Sequence, residues 1–277
     1  MSAPIRLAGF LAVLSLAFAA AALAGAAIDP APRAEQEGDA MGGHDDAAGE
    51  GHGDEAGAHG ADEVRGLAVA DAGPRGRSVR GRRTTLRFSI TDDHGAVVRD
   101  LDVTHEKRMH LIVVRRDLSG FQHLHPVQAA DGTWSVELTL PAAGSYRMLA
   151  DFARDGEAHT LGADLRVDGA ARLAPLPQAT AHARTDGYDV ELTADGGDLR
   201  FAITRDGEPV RTRPYLGAAG HLVALREGDL AFLHVHPDSD DVAFATEFPS
   251  AGRYRLFLQF RHGGRVHTAA FTREVSG

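Results

Sequence analysis

The residues best suited to chemistry in this sequence are histidines, of which there are 15 among 277 residues. Six of them form two copies of one pattern, a histidine followed 13 residues later by His-x-His-Pro: His110, His123 and His125, then His221, His234 and His236. Neutral imidazoles are good ligands for Cu(II) and Zn(II). Because the chain has no cysteine, disulfides, thiolate metal sites and blue-copper electron transfer are excluded.

Each pattern is predicted to form a β-hairpin that gathers its histidines at one end of one face. Residues 110–114 (HLIVV) predict a strand, and the next six residues (RRDLSG) predict a hairpin loop. Side chains two apart in a strand share a face, so a symmetric loop pairs His110 with His125 and sets His123 on the same face. Directly opposed Cβ atoms are about 4.5–5.5 Å apart. The same register in the second copy pairs His221 with His236 and adds His234.

Four other residues are weaker candidate ligands: His105, Met109, His159 and His267. The first two lie just before the first pattern and have no polar counterpart in the second copy, where Leu216 and Gly220 stand. Ligands there would therefore belong to the first copy alone. The other two lie on a late strand, from which they are expected to close each cluster.

A second interpretation is that these histidines are core residues. Their predicted face also carries Ile112, Val114 and Phe121, which indicates the buried face of a sandwich. Buried histidines can be hydrogen-bonded and shape a fold without binding an ion. The repetition of the motif with its partner at one spacing favours metal ligands, and both interpretations stay open.

The elements that position the histidines are strands in two copies. Repeats recur in one order: LRFSIT at 86–91 and LRFAIT at 199–204, Gly-Ser-Tyr-Arg at 144–147 and Gly-Arg-Tyr-Arg at 252–255, and His-Thr at 159–160 and 267–268. Alternating apolar runs separated by turns predict an all-β fold. We expect two tandem immunoglobulin-like or cupredoxin-like β-sandwich domains, residues 64–170 and 176–277.

The amino-terminal segment predicts export. Residues 7–28 carry no charge and follow Arg6. They meet the length of a membrane-spanning helix, roughly 20 residues, and also satisfy a secretory signal cleaved near Ala24. Either way the rest of the chain is expected outside the cytoplasm, tethered to the cell membrane by residues 7–28 or secreted after cleavage.

Residues 29–63 hold the whole charge imbalance of the chain. They contain 11 carboxylates and one arginine, and the net charge of the chain is −10. Without hydrophobic periodicity they predict a disordered acidic linker. Its histidines, His44, His52 and His59, are compatible with a solvated tether and with a weak metal-collecting tail. The near-neutral remainder has no basic stripe, so nucleic-acid binding is not expected.

No nucleophile motif, Walker A loop, H-E-x-x-H or dinucleotide fingerprint appears, so no enzyme is predicted. The stretches HEKRMHLIVVRRDLSGFQHLHP and PYLGAAGHLVALREGDLAFLHVHP resemble a family of uncharacterised bacterial exported or membrane-anchored tandem β-domain proteins, labelled heavy-metal-binding or secreted. More distantly, the domains look like extracytoplasmic copper-handling sandwiches. Those commonly use methionine-rich motifs, which this sequence lacks, so copper and zinc both stay open.

Together these features predict an extracytoplasmic, non-enzymatic protein that sequesters or delivers copper or zinc. Its partners would be the metal ion and a membrane metal transporter or another exported protein, with the membrane contacted through the amino-terminal segment. The alternative is a structural or interaction protein of two tandem sandwiches, whose histidines are core residues.

Overall fold

The computed structural model describes residues 64–71, 80–237 and 241–277. All regular secondary structure in these ranges is β-strand, which confirms the predicted all-β fold. Within the same ranges, no helix is long and apolar enough to cross a membrane. The predicted signal or anchor segment, residues 7–28, and the predicted acidic linker, residues 29–63, lie outside the described residues.

The first domain consists of two four-stranded antiparallel sheets. Its strands are β1 (Val64–Asp71), β2 (Arg83–Asp92), β3 (His110–Arg115), β4 (Gln122–Leu124), β5 (Val127–Gln128), β6 (Trp134–Thr139), β7 (Gly144–Arg154) and β8 (Glu157–Val167). The strand orders are β1-β2-β6-β5 and β4-β3-β7-β8. Alternate residues of facing strands, such as Phe88, Leu111 and Trp134, form the buried core between the sheets.

The second domain repeats this plan. Its strands are β9 (His182–Thr185), β10 (Tyr188–Asp195), β11 (Asp198–Arg205), β12 (Glu208–Pro209), β13 (His221–Arg226), β14 (Phe232–Val235), β15 (Ala243–Ala245), β16 (Gly252–His262) and β17 (Arg265–Val275). One sheet has the order β12-β11-β10-β9, with β15 paired to β11, and the other has the order β14-β13-β16-β17. Phe201, Leu222 and Phe260 belong to its core.

The repeated Gly-x-Tyr-Arg motif has a structural role in both domains. The hydroxyl of Tyr146 donates to the carbonyl of Ala142 at 2.9 Å, and that of Tyr254 donates to the carbonyl of Ser250 at 2.8 Å. Such a tyrosine corner, bonded a few residues upstream, is common in immunoglobulin-like sandwiches. The repeat thus marks the start of β7 and of β16.

A third buried apolar cluster joins the two domains. It consists of Ile112, Val114, Leu118, Leu149, Leu176, Val223, Leu225, Leu230 and Phe257. Across it, the rings of Phe121 and Phe257 stack with centroids 4.0 Å apart. Full burial of one such aliphatic side chain is worth roughly 1.5–3 kcal/mol. The domains are therefore held together by a hydrophobic interface as well as by the chain.

This interface corrects one expectation from the sequence. The face that carries the histidines is buried, but it packs against the other domain and not inside its own sandwich. In β3, Leu111 and Val113 belong to the core of the first domain, whereas Ile112 and Val114 belong to the interface cluster. Both β3 and β13 are consequently buried on two faces.

The connection between the domains is fixed by a buried ion pair. Arg115 donates from its guanidinium to Asp117 at 2.7 Å and to the carbonyls of Ala143 and Arg172 at 2.7 and 3.0 Å. The backbone N–H of Ala174 donates to the same carboxylate at 3.0 Å. The ion pair thus ties the start of the connection to the first domain.

Replacing Asp117 by Asn is expected to lower the free energy of unfolding by about 3 kcal/mol, because it leaves a buried guanidinium without its carboxylate. The side chains of Arg115 and Asp117 are 6% and 2% exposed. Equilibrium urea unfolding measures the change. Asp229→Asn is the matched control, because it changes the equivalent pair in the second domain, in which the side chains of Arg226 and Asp229 are 24% and 52% exposed. Solvent screens that pair, so the loss should be much smaller. Equal losses in the two variants would contradict this account.

Candidate metal centre

Seven histidines from the two domains form one group at the interface, called here the histidine cluster. Its members are His105, His110, His123 and His125 from the first domain and His221, His234 and His236 from the second. Every ring centroid in the cluster lies within 5.1 Å of another. The cluster sits at the end of the strands where β3 and β13 begin.

The hairpin register predicted from the sequence is confirmed. Ile112 pairs with His123 in the first domain, and Val223 pairs with His234 in the second. One step further along the same register, the rings of His110 and His125 have centroids 5.1 Å apart. The corresponding rings of the second domain, His221 and His236, are 4.6 Å apart.

Two sets of three histidines bring one nitrogen each within 4.8 Å of the others. The first triad is His110, His123 and His234, and the second triad is His221, His234 and His236. The sequence predicts a group of His110, His123 and His125. In the structure, His234 of the other domain takes the place of His125. The reason is the interface: because the histidine face packs against the second domain, the third imidazole comes from across it. The second triad has the predicted members.

Backbone carbonyls orient one histidine of each domain. Nε2 of His110 donates to the carbonyl of Thr104 at 3.3 Å, and Nε2 of His221 donates to the carbonyl of Tyr215 at 2.7 Å. A carbonyl oxygen only accepts, so the hydrogen of each imidazole is on Nε2. In both rings Nδ1 is therefore left with a lone pair directed into the cluster.

Side chains from the opposite domain orient the next two histidines. Nδ1 of His123 donates to Oε1 of Gln259 at 2.7 Å, and Nδ1 of His234 donates to Oδ2 of Asp151 at 2.8 Å. These two acceptors are equivalent in the repeat, because Asp151 pairs with His110 and Gln259 with His221. Each domain thus holds a histidine of the other in the tautomer that leaves Nε2 without hydrogen.

Threonines support both acceptors. The hydroxyl of Thr160 donates to Oδ1 of Asp151 at 2.9 Å, and the amide of Gln259 donates to the hydroxyl of Thr268 at 3.3 Å. The threonines are opposite Asp151 and Gln259 in the β7–β8 and β16–β17 ladders. With its nitrogen at Thr268, the amide of Gln259 has its oxygen at His123.

The resulting tautomers leave an unusual concentration of lone pairs. Nδ1 of His110 and Nε2 of His123 are 3.0 Å apart, and by the assignments above neither carries a hydrogen. Four more buried imidazole nitrogens have no hydrogen-bond partner within the described part of the chain: Nε2 of His125, Nδ1 of His221, Nε2 of His234 and Nε2 of His236. Opposed lone pairs repel unless a cation lies between them.

A proton is a poor candidate for a cation between these nitrogens, because the pKa values of the buried histidines are lowered. Burial lowers the pKa of His221 to about 4 and that of His125 to about 3. Burial and the neighbouring imidazoles hold the pKa values of His123 and His234 well below the usual range. At neutral pH the imidazoles of the cluster are therefore uncharged, which is the form of histidine that can coordinate Cu(II) or Zn(II).

His105 joins the cluster from a strained turn. It and Glu106 have positive φ angles, 49° and 64°, which cost energy in residues other than glycine. The turn lays the ring of His105 on that of His236, with centroids 3.4 Å apart and planes 17° apart. Of the four weaker candidates, His105 alone lies in the cluster.

Met109, His159 and His267 lie outside the histidine cluster, which corrects the expectation from the sequence that they add ligands. Met109 is next to His110 in the chain and therefore faces the opposite side, where it is buried in the first core. His159 is directly opposite Phe152 in the β7–β8 ladder and stacks on its ring, with centroids 5.4 Å apart. Because adjacent residues of a strand face opposite sides of the sheet, it is the neighbouring Thr160 that faces the histidine cluster.

His267 likewise faces away from the histidine cluster, on the equivalent strand of the second domain. It is opposite Phe260, and its Nδ1 lies 2.7 Å from Oδ2 of Asp186. Sequence reasoning also missed the two acceptors, Asp151 and Gln259. The available signal was their shared position, five residues after the tyrosine of the repeated Gly-x-Tyr-Arg motif.

The fold and the cluster define a tandem β-sandwich protein whose two copies share one set of histidines. The chain belongs to the family described as Domain of unknown function (DUF8832), whose model matches it twice, at residues 63–169 and 183–277. Each match covers one of the two domains. None of the curated proteins matches this sequence.

Solved structures resemble the chain at low TM-scores. An alpha-2-macroglobulin from Salmonella, reacted with methylamine, is 14% identical over 77% of this chain, with a TM-score of 0.28. The chain spans 15% of the length of that protein. A protein from Corynebacterium diphtheriae described as membrane anchored is 9% identical, with 77% of this chain and 59% of that chain covered and a TM-score of 0.26. Similarity at this level says nothing about function.

In the metal-free protein, the free energy of unfolding is expected to fall as the pH drops below about 6.5. The unfolded chain then binds protons that the buried histidines, with lowered pKa values, do not, so acid favours unfolding. With its folded pKa of about 4, His221 alone contributes about 2 kcal/mol of the loss between pH 7.5 and 5.

Urea unfolding at the two pH values measures this loss. His221→Gln should show a shallower decline than the wild type, whereas a His94→Gln variant, changed at an exposed position, should follow the wild type. Equal unfolding free energies at pH 7.5 and 5 would contradict the assignment of neutral buried histidines.

Proposed function

We propose that this protein binds a Cu(II) or Zn(II) ion in the histidine cluster and acts, without enzymatic activity, in sequestration or delivery of the metal outside the cytoplasm. The single observation that carries the proposal is the close approach of Nδ1 of His110 to Nε2 of His123, at 3.0 Å, with a ligand nitrogen of His234 within 4.8 Å of the ligand nitrogens of both. This first triad is built from both copies of the repeat.

The spacing of the first triad suits one ion. Ligand nitrogens bound tetrahedrally to zinc at about 2.0–2.1 Å are about 3.3 Å from each other. The nitrogens of His110 and His123 are already near that separation. The three ligand nitrogens lie within 4.8 Å of one another, so the nitrogen of His234 reaches that separation by an inward shift.

The residues behind the ligands support the same function. Metal-binding histidines commonly donate their second nitrogen to a carboxylate or carbonyl, which fixes the ring and raises its basicity. Here Asp151 serves His234, Gln259 serves His123, and the carbonyl of Thr104 serves His110.

The donor set limits the metal. All ligands are imidazoles, the chain has no cysteine, and Met109 is turned into the core. Imidazole nitrogen suits Zn(II) and Cu(II), whereas soft Cu(I) prefers thiolate and thioether ligands. Copper in the divalent state and zinc are therefore the ions to test.

The proposed location and partners rest on the sequence. The uncharged segment 7–28 and the acidic linker 29–63 favour a module outside the cytoplasm, tethered to the cell membrane by residues 7–28 or secreted if that segment is cleaved near Ala24. In this proposal the metal is cargo, exchanged with a membrane metal transporter or another exported protein.

Titration calorimetry of the full-length protein with Zn(II) and with Cu(II) tests the proposal. We expect binding tighter than micromolar, weakened at least 100-fold in the double variant His123→Gln/His234→Gln. Because the linker also carries histidines, His44→Ala/His52→Ala/His59→Ala is the matched control and should keep the tight binding. No binding tighter than high micromolar, or binding unchanged by the double variant, would refute the proposal.

Asp151→Asn is expected to weaken metal binding about 10- to 100-fold, because an amide is a poorer partner than a carboxylate for the imidazole behind the ligand. Competition with a chromophoric chelator measures the affinity. The control is Asp164→Asn, which changes an exposed carboxylate paired with Arg116 and Arg147. Equal affinities in the two variants would remove Asp151 from the site.

A second candidate function rests on the cross-domain hydrogen bonds themselves. His123 and His234 bridge the domains through Gln259 and Asp151, as core residues of a structural or interaction protein would. In that case added metal leaves the melting temperature unchanged. An ion at 100 times its dissociation constant should instead stabilise the fold by about 2.7 kcal/mol, which calorimetric melting with and without Zn(II) distinguishes.

A further inference from the structure

The two triads compete for one ligand. His234 belongs to both of them. Its Nδ1 is engaged by Asp151 at 2.8 Å, so Nε2 has the only lone pair it can offer. One lone pair binds one ion, and both triads therefore cannot hold three-coordinate ions at the same time.

We propose, on the basis of the metal-binding function above, that the triads are alternative positions for one ion, which is held in the first triad and handed over through the second triad to His105 at the surface. His234 stays bound while the ion passes from the first triad to the second. The remaining ligands are exchanged one at a time, from His110 and His123 to His221 and His236.

The ring positions suit such an exchange. The centroid of the His234 ring is 5.1 Å from those of His110 and His123 and 4.4 Å from that of His236. Nδ1 of His221 and Nε2 of His236 have no hydrogen-bond partner within the described residues. The second triad can thus accept an ion without first breaking a hydrogen bond.

Among the seven histidines of the cluster, His105 has the most exposed side chain. His105 is exposed and lies on His236, at 3.4 Å between ring centroids. The position equivalent to His105 in the repeat is Leu216, which is buried and has no ligand atom. The turns have the same conformation, with positive φ at His105 and Leu216, so the difference lies in the side chain. The path therefore ends at His105.

Two variants separate this path from simple binding. His105→Ala removes the surface imidazole and should slow transfer of Zn(II) to excess EDTA at least 10-fold, while the equilibrium affinity stays within about threefold of the wild type. His221→Gln breaks the second triad and should slow the same transfer. Because His105 is exposed, its variant should fold even if a change at buried His221 does not.

Stopped-flow transfer to EDTA gives the rates, and native mass spectrometry gives the stoichiometry. We expect one tightly bound ion per chain, with any second ion at least 100-fold weaker. Two tight independent ions, or transfer at wild-type rate in His105→Ala, would overturn the hand-over but leave metal binding intact. No ion bound by the wild type would overturn the proposed function and this inference with it.

Discussion

Burial of β3 and β13 on both faces is the constraint from which the rest of the structure follows. One face of each strand fills its own sandwich, and the other face is covered by the second copy of the domain. The apolar half of that interface supplies the hydrophobic stabilisation. The polar half collects the histidines where water is largely excluded. Duplication of the domain therefore builds the site as well as the fold, since neither copy alone covers its histidine face.

The exchange of acceptors between the domains gives the cluster its chemistry. Because Asp151 and Gln259 each accept a hydrogen bond from a histidine of the other copy, closing the interface also selects the tautomers. Buried imidazoles with lowered pKa values then present nitrogen lone pairs to each other. The repeat is not identical at this point, since one copy has a carboxylate where the other has an amide. The ring of His234 accordingly has the stronger partner.

Local periodicity was sufficient to predict the strands and the hairpin register that brings His110 toward His125, and the repeated motifs were sufficient to predict the duplication. It did not predict that the histidine face packs against another domain, because a strand pattern indicates a buried face without specifying what covers it. For that reason the sequence placed His125 where His234 belongs. The alternation of side chains along a strand also explains why His159 and His267 were wrongly expected to be ligands. The His-Thr pair is repeated in both domains, but its threonine faces the histidine cluster and its histidine faces away. Asp151 and Gln259 differ in residue type, so a search for identical repeats passed over them.

Anomalous diffraction from crystals of the protein grown with Zn(II) tests the central claim most directly. We expect a peak at the zinc edge between the two domains, about 2.0–2.1 Å from Nδ1 of His110 and from Nε2 of His123 and His234. An interface without such a peak, while zinc occupies only surface carboxylates or exposed histidines, would contradict it.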